Sequence, residues 1–218
     1  DWQFIDDLKS RLHRKPHWNR YNPKPEELYL GKGVKIIKTF PDPGGLLDTA
    51  WQDLEGFMDD VGIPVIEIIE IKTTEFDTLK SENIKPGTSK IIKPEIVKSS
   101  GNESEIVAIQ AIKEEQGCFE SYCIEISRNC ITIKAGDTEG IRRGIFYLED
   151  LILESEGPFL TQTVIKRSPW IKNRISRCFF GPIKRPPFNR DELMDDVDYY
   201  PDEYLNRLAH EGINILWL

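Results

Sequence analysis

Two short segments of alternating apolar and polar residues, separated by a turn, constrain the fold of this chain most. Residues 121–126 and 130–133 both alternate, which is the pattern of half-buried strands. A two-residue turn at Arg128-Asn129 closes them into an antiparallel hairpin. The isoleucines then share one face, with the predicted pairs Ser127 with Cys130, Ile126 with Ile131 and Ile124 with Ile133.

The same register bears on the cysteines. It places Cys123 opposite Lys134 and Cys130 opposite Ser127, several residues apart, so no disulfide between these two cysteines is predicted. No histidine lies near them in sequence, which argues against a zinc site. The three histidines of the chain do not form a ligand set either, and neither a metal nor a cofactor is predicted; they are His13, His17 and His210.

A strand-helix-strand pattern precedes the hairpin. Residues 34–40 are rich in β-branched side chains, and residues 65–71 are again mostly apolar. Between them an amphipathic helix is predicted from apolar residues at helical spacing, with Gly62 just after its end; the apolar residues are Leu47, Trp51, Leu54, Met58 and Val61. Gly44-Gly45 before this helix lacks the Lys-Ser/Thr ending of a phosphate loop. It is interpreted as a turn, which counts against a nucleotide-binding protein.

The next segments complete an α/β domain. Residues 73–105 are polar and predicted to loop out, with a short strand at 90–92, and residues 106–112 form the next strand. After the hairpin a helix is predicted, capped by Asp137 or Thr138 and ended by Gly157-Pro158. Gly140 and Gly144 lie four residues apart on its buried side, which suggests that its backbone lies close against the sheet.

A second strand-helix-strand pattern follows residue 168. Residues 173–180 are predicted as a strand, 181–200 as a long loop, and 213–218 as a near-continuous apolar strand, as in a parallel sheet buried on both faces. Pro201 is predicted at the first helical position. The expected domains are an N-terminal arm over 1–33, an α/β domain over 34–168, and a further domain that starts at 169. The arm has a helical pattern from Trp2 to Leu12. Its aromatic residues Trp18 and Tyr21 are interpreted as packing residues, with stacking on sugars as the open alternative.

Charge and hydropathy exclude two classes of partner. The formal net charge is −8, so no basic excess is available to neutralise the phosphates of a nucleic acid. No apolar run approaches the length of a membrane span. No signal peptide is visible at the N-terminus, although a secreted protein without its leader would look the same, and the localisation stays open.

The hairpin and the helix after it resemble the end of the N-terminal domain of family 20 β-N-acetylhexosaminidases, a domain type that also precedes the barrels of related glycosidases. The match lies in Tyr122-Cys123-Ile124-Glu125-Ile126 and in Gly136-Asp137 with Gly140 and Gly144. The segment 159–169 is similar to the family's link into its catalytic barrel. The resemblance implies a mixed α/β (α+β) sheet with helices on one face, followed by the first β-α-β of a (β/α)8 barrel, with a carbohydrate as substrate.

The resemblance also implies where the chemistry lies. Family 20-like enzymes use an Asp-Glu pair after the fourth barrel strand, and nothing in residues 1–218 corresponds to it, so the catalytic residues are expected in the remainder of the barrel. The family's sugar-binding arginine after the first barrel strand is replaced here by Pro182. Arg177 or Arg185 is expected to substitute for it as a planar donor to hydroxyls or to a sugar carboxylate, with a solvated or salt-bridged arginine as the open alternative. The acidic residues between Asp191 and Asp198 are interpreted as a solvated loop. A glycoside hydrolase is the first hypothesis, and a non-catalytic glycan- or protein-binding module is the second.

Overall fold

The computed structural model of the chain describes residues 16–20, 22–70, 106–177, 182–185, 187–191, 194 and 200–217, and for 182–185 and 188–191 it describes the backbone alone. It contains two compact units, a first unit of Lys15–Ser168 and a second unit that includes Pro169–Leu218. The predicted helix near Trp2, the loop over 73–105 and the strand at 90–92 lie outside the described residues. In the described part of the chain, no helix has the length and apolar character that crossing a membrane requires.

The first unit is a mixed α/β fold. Its six-stranded sheet has the order β3-β2-β4-β6-β5-β8, and β1 pairs separately with β7. The strands are β1 (Glu27–Tyr29), β2 (Val34–Lys38), β3 (Val65–Glu70), β4 (Val107–Lys113), β5 (Tyr122–Ile126), β6 (Cys130–Ala135), β7 (Phe159–Thr161) and β8 (Thr163–Arg167), and the helices are α1 (Asp48–Asp60) and α2 (Thr138–Glu154).

The predicted strand-helix-strand unit is confirmed. Strands β2 and β3 pair in parallel through α1, as expected when a helix returns the chain to the same end of a sheet. Gly62 follows the helix with a φ of 76°, a conformation that glycine adopts without steric cost. Strand β3 is at the edge of the sheet, and for this reason Ile66 and Ile68 stay exposed although their sequence is that of a buried strand.

The predicted hairpin is confirmed pair by pair. Strands β5 and β6 are antiparallel, with Ile126 opposite Ile131, Ile124 opposite Ile133 and Cys123 opposite Lys134. The N–H of Ser127 donates to the carbonyl of Cys130 at 2.9 Å and closes the turn. Cys118, Cys123 and Cys130 are free thiols. Strand β5 runs antiparallel to both neighbours, whereas β3, β2, β4 and β6 run parallel, and the sheet is therefore mixed.

Helix α2 is held against the sheet by its first turn and its glycines. The Asp137 carboxylate accepts from the N–H of Gly140 at 2.8 Å and from the N–H of Glu120 at 3.1 Å, so one side chain caps the helix and fixes the entry to β5. A Cβ on Gly140 would lie 2.6 Å from the carbonyl oxygen of Ser121. Both glycines predicted to face the sheet therefore do so.

The segment before β2 is joined to the end of α2. The indole N–H of Trp18 donates to the carbonyl of Ile152 at 3.4 Å. The Arg20 guanidinium donates to both Glu27 oxygens at 2.6 Å and lies 4.4 Å from the ring centroid of Phe159. These contacts, with the β1–β7 pairing, bind the described residues before β2 into the first unit, and Trp18 has the packing role that its sequence context indicated.

The second unit contains four strands and one helix among its described residues. They are β9 (Ile175–Arg177), β10 (Pro182–Arg185), β11 (Phe188–Asp191), α3 (Asp202–His210) and β12 (Ile215–Trp217). Strands β9 and β12 are parallel, and β10 and β11 form a separate antiparallel hairpin.

Three predictions for the second unit need correction. The stretch expected as one long loop contains the β10–β11 hairpin: Pro182 is tolerated there because it is the first residue of a strand in a two-stranded ribbon. Strand β12 is not buried on both faces, since Ile215 is 38 % exposed and Trp217 is 57 % exposed. In addition, Pro201 takes the capping position, and α3 begins one residue later at Asp202.

Candidate functional site

The parallel pair β9–β12 presents an exposed face in the second unit. Ile175 lies opposite Ile215 and Arg177 opposite Trp217, with Ser176 and Leu216 between them. The outer positions of both strands are exposed and the central ones are partly covered, as the alternation of side chains along a strand requires. One face therefore carries two isoleucines, one tryptophan and one arginine.

Arg177 and Trp217 form the end of this face where both strands finish. The guanidinium carbon of Arg177 lies 4.7 Å from the centroid of the Trp217 ring, within the range of a cation–π contact. Tryptophan gives the strongest contact of this kind. The arrangement offers a fixed cation beside an aromatic surface, which is chemistry suited to oxygen-rich ligands.

Arg174 has a different role at the other end of the same strands. Its Nη1 donates to the carbonyl of Ile171 at 2.6 Å, and its Nε donates to the carbonyl of Gly212. The Asn214 carboxamide accepts from the N–H of Arg174 at 2.9 Å and donates to the carbonyl of Lys172 at 2.8 Å. These bonds go to backbone groups, so Arg174 and Asn214 join β9 to β12 structurally.

Of the two arginines predicted to bind substrate, the structure gives a side-chain environment for one. Arg177 stacks on Trp217. Arg185 is the last residue of β10, opposite Phe188, and only its backbone is described. The two arginines lie on different two-stranded sheets, so pairing of their strands does not bring them together.

Trp217 was not predicted as a site residue. Its sequence context, an apolar run, indicated a buried strand. The pairing of Trp217 with Arg177 depends on the register of two strands separated by a long connection, and no local pattern encodes that register. The sequence does contain one signal: a basic residue near the end of one predicted parallel strand and an aromatic residue near the end of the other. This signal predicts a contact only if the two strands are assumed to be neighbours.

The turn before α1 has the role predicted for it. The Asp42 carboxylate accepts from the N–H of Leu47 at 2.7 Å, and the N–H of Gly45 donates to the carbonyl of Asp42 at 3.2 Å. An acidic side chain of the protein thus occupies one N–H donor at the start of this helix, that of Leu47.

A cleft of about 370 Å³ lies between α1 and β3 of the first unit. Its acidic residues include Glu55 and Glu67, which are paired with Lys38 at 3.7 Å and Lys35 at 2.5 Å. The Lys35–Glu67 pair joins β2 to the edge strand β3, and charged side chains are a common protection of edge strands. The Lys38–Glu55 pair joins β2 to α1.

Comparison with known proteins gives similarity to solved structures alone. No protein-family model matches the sequence, and no curated protein does. The chain is similar to a solved β-N-acetylhexosaminidase from Bacteroides fragilis, at 16% identity and a TM-score of 0.38, over 69% of this chain and 23% of that one. It is similar to a chitobiase from Flavobacterium johnsoniae, at 19% identity and a TM-score of 0.48, over 92% and 25%.

A third similarity is to a GH138 enzyme targeting pectin rhamnogalacturonan II, at 14% identity and a TM-score of 0.46, over 84% of this chain and 24% of that one. The chain thus spans about a quarter of the length of the solved chains it matches. At these identities and TM-scores, activity does not follow from the similarity.

Proposed function

We propose that this chain is part of a glycoside hydrolase, in which residues 1–33 form an arm, 34–168 a non-catalytic α/β domain, and 169–218 the first strand, helix and strand of a (β/α)8 barrel. The observation that carries the proposal is the parallel pair β9–β12, joined through α3, with Arg177 and Trp217 at the carboxyl ends of both strands. Barrel active sites form at that end of the strands.

The exposure of β9 and β12 supports an assignment of which face of the two strands is the barrel interior. Ser176 and Leu216 are the less exposed positions, and in this proposal they face the helices that surround the barrel. The opposite face, with Ile175, Ile215 and Trp217, is the barrel interior in this proposal. Bulky branched residues fill such interiors in layers, and the remainder of the barrel covers them in the whole protein.

The catalytic residues and the substrate-binding arginines are proposed to lie in different parts of the protein. A hydrolase of this type needs a pair of carboxyl groups around the glycosidic bond, and these are proposed to come from the rest of the barrel. Arg177 and Arg185 are proposed to bind substrate by donating N–H groups to sugar hydroxyl or carboxylate oxygens. An arginine stays protonated at all working pH values, so its role is binding and orientation.

The test is hydrolysis of a panel of nitrophenyl glycosides, neutral and uronic, by the full-length protein with and without Arg177→Gln. Loss of a charged hydrogen bond is expected to lower kcat/KM about 10- to 100-fold. Arg167→Gln is the matched control, since Arg167 also stacks on an aromatic ring, Tyr147 at 5.2 Å, in the first unit. Its kcat/KM should equal that of the wild type.

The second candidate is a module that binds glycans or proteins without activity. If the full-length protein folds, turns over no glycoside and still binds a sugar by calorimetry, the hydrolase proposal is wrong and the binding module stands. Equal activity of Arg177→Gln and the wild type would instead remove Arg177 from the substrate site while leaving the hydrolase proposal intact.

A further inference from the structure

We infer that the outer edge of β3, together with the cleft between β3 and α1, binds an extended segment of another protein in which basic side chains alternate with apolar ones. The segment adds a strand to the six-stranded sheet, so that main-chain hydrogen bonds hold it and side-chain contacts select it. This surface lies in the first unit, and the inference does not depend on glycoside hydrolysis.

The backbone of β3 is open on one side. β3 is the last strand of its sheet, and within the part of the chain that the structure describes only β2 pairs with it. An edge strand carries a row of unpaired N–H and C=O groups. The pairing with β2 skips Ile66 and then runs in regular register from Glu67 to Glu70. The stretch from Glu67 to Glu70 is therefore the part of the edge to which a further strand can pair.

Apolar side chains border this open edge. Ile68 lies opposite Ile36, which is fully buried, whereas Ile68 itself is 42 % exposed. Ile66 is exposed as well, and both Ile66 and Ile68 line the cleft of about 370 Å³. An edge strand that only avoids pairing carries charges or proline, whereas exposed apolar residues beside unpaired backbone groups favour the addition of a strand.

The charges on the cleft side of the sheet decide which kind of segment fits. Glu55 and Asp59 of α1 line the cleft, and Lys38 is shared between Glu55 at 3.7 Å and Glu70 at 3.2 Å. The Asp59 side chain is exposed and forms no ion pair among the described residues. These three carboxylates have one lysine between them, so a basic side chain complements the negative charge that remains.

Strand addition also predicts where the side chains of the segment lie. Alternate side chains share the face of Ile68, where a lysine or arginine can lay its apolar stem on Ile68 and extend its charge toward Asp59. The side chains between them share the face of Ile69, which is half-buried, and apolar side chains fit there. An alternation of basic and apolar residues therefore matches both faces of the added strand.

The same charges disfavour two other pairings. Two β3 edges that paired about a two-fold axis would bring Glu67 and Glu70 of one copy against those of the other, and like charges opposite each other destabilise a strand pair. β8 is the strand at the other edge of the sheet, and it ends in Lys166 and Arg167. A basic segment is therefore repelled at β8 and attracted at β3.

Fluorescence anisotropy on the full-length protein tests the inference with a labelled eight-residue peptide that alternates lysine and valine. This probe is expected to bind saturably, whereas a peptide that alternates glutamate and valine is not. Absence of saturable binding of the lysine–valine probe would overturn the inference.

Backbone methylation of the probe separates strand addition from attraction by charge. One version of the probe carries N-methyl groups on all lysines, and another carries them on all valines. Because an added strand pairs through one of its two edges, one version should bind like the parent and the other at least about 10-fold more weakly. Equal binding of the two versions would overturn strand addition.

Variants of the protein locate the site. Ile68→Ser is expected to weaken binding of the probe about 10-fold, and Asp59→Asn about 3-fold. Val164→Ser, at an exposed position of β8, and Asp48→Asn, at an exposed position of α1 about 16 Å along the helix from Asp59, are the matched controls and should bind like the wild type. Wild-type affinity of Ile68→Ser, with folding confirmed by circular dichroism, would overturn the inference.

Sedimentation of the full-length protein distinguishes the remaining occupant, the β8 edge of a second copy. The oligomeric state is expected to be the same for the wild type, Ile68→Ser and Val164→Ser. Self-association that both substitutions abolish would overturn the inference and assign the β3 edge to a second copy of this chain.

Discussion

A Cβ placed on Gly144 would lie 2.4 Å from Cγ2 of Ile133, so α2 approaches β6 more closely than any residue with a side chain permits. Each glycine of α2 therefore has two opposite effects on stability. It weakens an isolated helix by about 1 kcal/mol relative to alanine, and it allows the helix to pack closely on the sheet.

Gly144→Ala is expected to lower the free energy of unfolding by about 1–3 kcal/mol, because overpacking outweighs the gain in helix propensity. Urea unfolding followed by circular dichroism measures it. Glu154→Ala, an exposed change in the same helix, should stay within about 0.5 kcal/mol of the wild type. A Gly144→Ala variant more stable than the wild type would contradict the packing described for α2.

Asp137→Ala is expected to destabilise the first unit by about 1–2 kcal/mol, the upper range for a helix cap, because the N–H groups of Gly140 and Glu120 both lose their acceptor. Asp137→Asn is the control: its amide oxygen replaces one acceptor and should restore part of the loss. An unfolding midpoint of Asp137→Ala equal to that of the wild type would show that the cap contributes little.

The pair of Arg20 and Glu27 predicts an acid-dependent contribution to stability. The hydrogen bonds from Arg20 hold the pKa of Glu27 well below its usual range, at about 2. A lowered folded-state pKa stabilises the fold above the unfolded value of 4.5, and this stabilisation is lost as the pH falls toward 2. Glu27→Gln should therefore lower Tm by a few degrees at pH 7, and by progressively less between pH 5 and pH 2.

Differential scanning calorimetry across that range measures this dependence. Glu26→Gln alters an exposed neighbour and is expected to match the wild type at every pH. A deficit of Glu27→Gln that stays constant down to pH 2 would show that the charge of Glu27 is not the source of the stabilisation.

The thiols of the first unit are expected to react in the order of their exposure. Cys118 is exposed and Cys123 is buried, and burial raises the pKa of the thiols of Cys123 and Cys130. Because the thiolate is the reactive form, iodoacetamide at pH 7.5 should modify Cys118 at least about 10-fold faster than Cys123, as read by peptide mass spectrometry. The difference should vanish in denaturant, and equal native rates would contradict the burial of Cys123.

The parts of the fold that the sequence predicted are those encoded locally. The β5–β6 hairpin follows from alternation and a two-residue turn, and the parallel pairing of β2 and β3 follows from a helix with a clear apolar face between two strands. Strand β1 was not predicted, because three residues carry almost no periodicity and its partner β7 is remote in sequence. The β10–β11 hairpin was missed because proline and basic residues dominate its sequence.

In the candidate site, one of the two residues was predicted from the sequence and the other was not. Arg177 was reached through the resemblance to the family, as one of two arginines expected to substitute for a sugar-binding arginine after the first barrel strand. Its partner Trp217 was not reached, since which residues lie opposite each other in β9 and β12 depends on register. The exposed state of Ile66 and Ile68 likewise depends on the edge position of β3, which strand composition does not encode.

The residues before β2 contact the end of α2, which is synthesised much later, and this affects the order in which the first unit folds. Trp18 and Ile152 are 134 residues apart, and Arg20 and Glu156 are 136 apart. Contacts of such large sequence separation are slow to form and wait for the whole intervening chain. The parallel strands and the hairpin can therefore assemble while residues 16–29 still lack their docking surface, and those residues dock only after the end of α2 and β7 have been made.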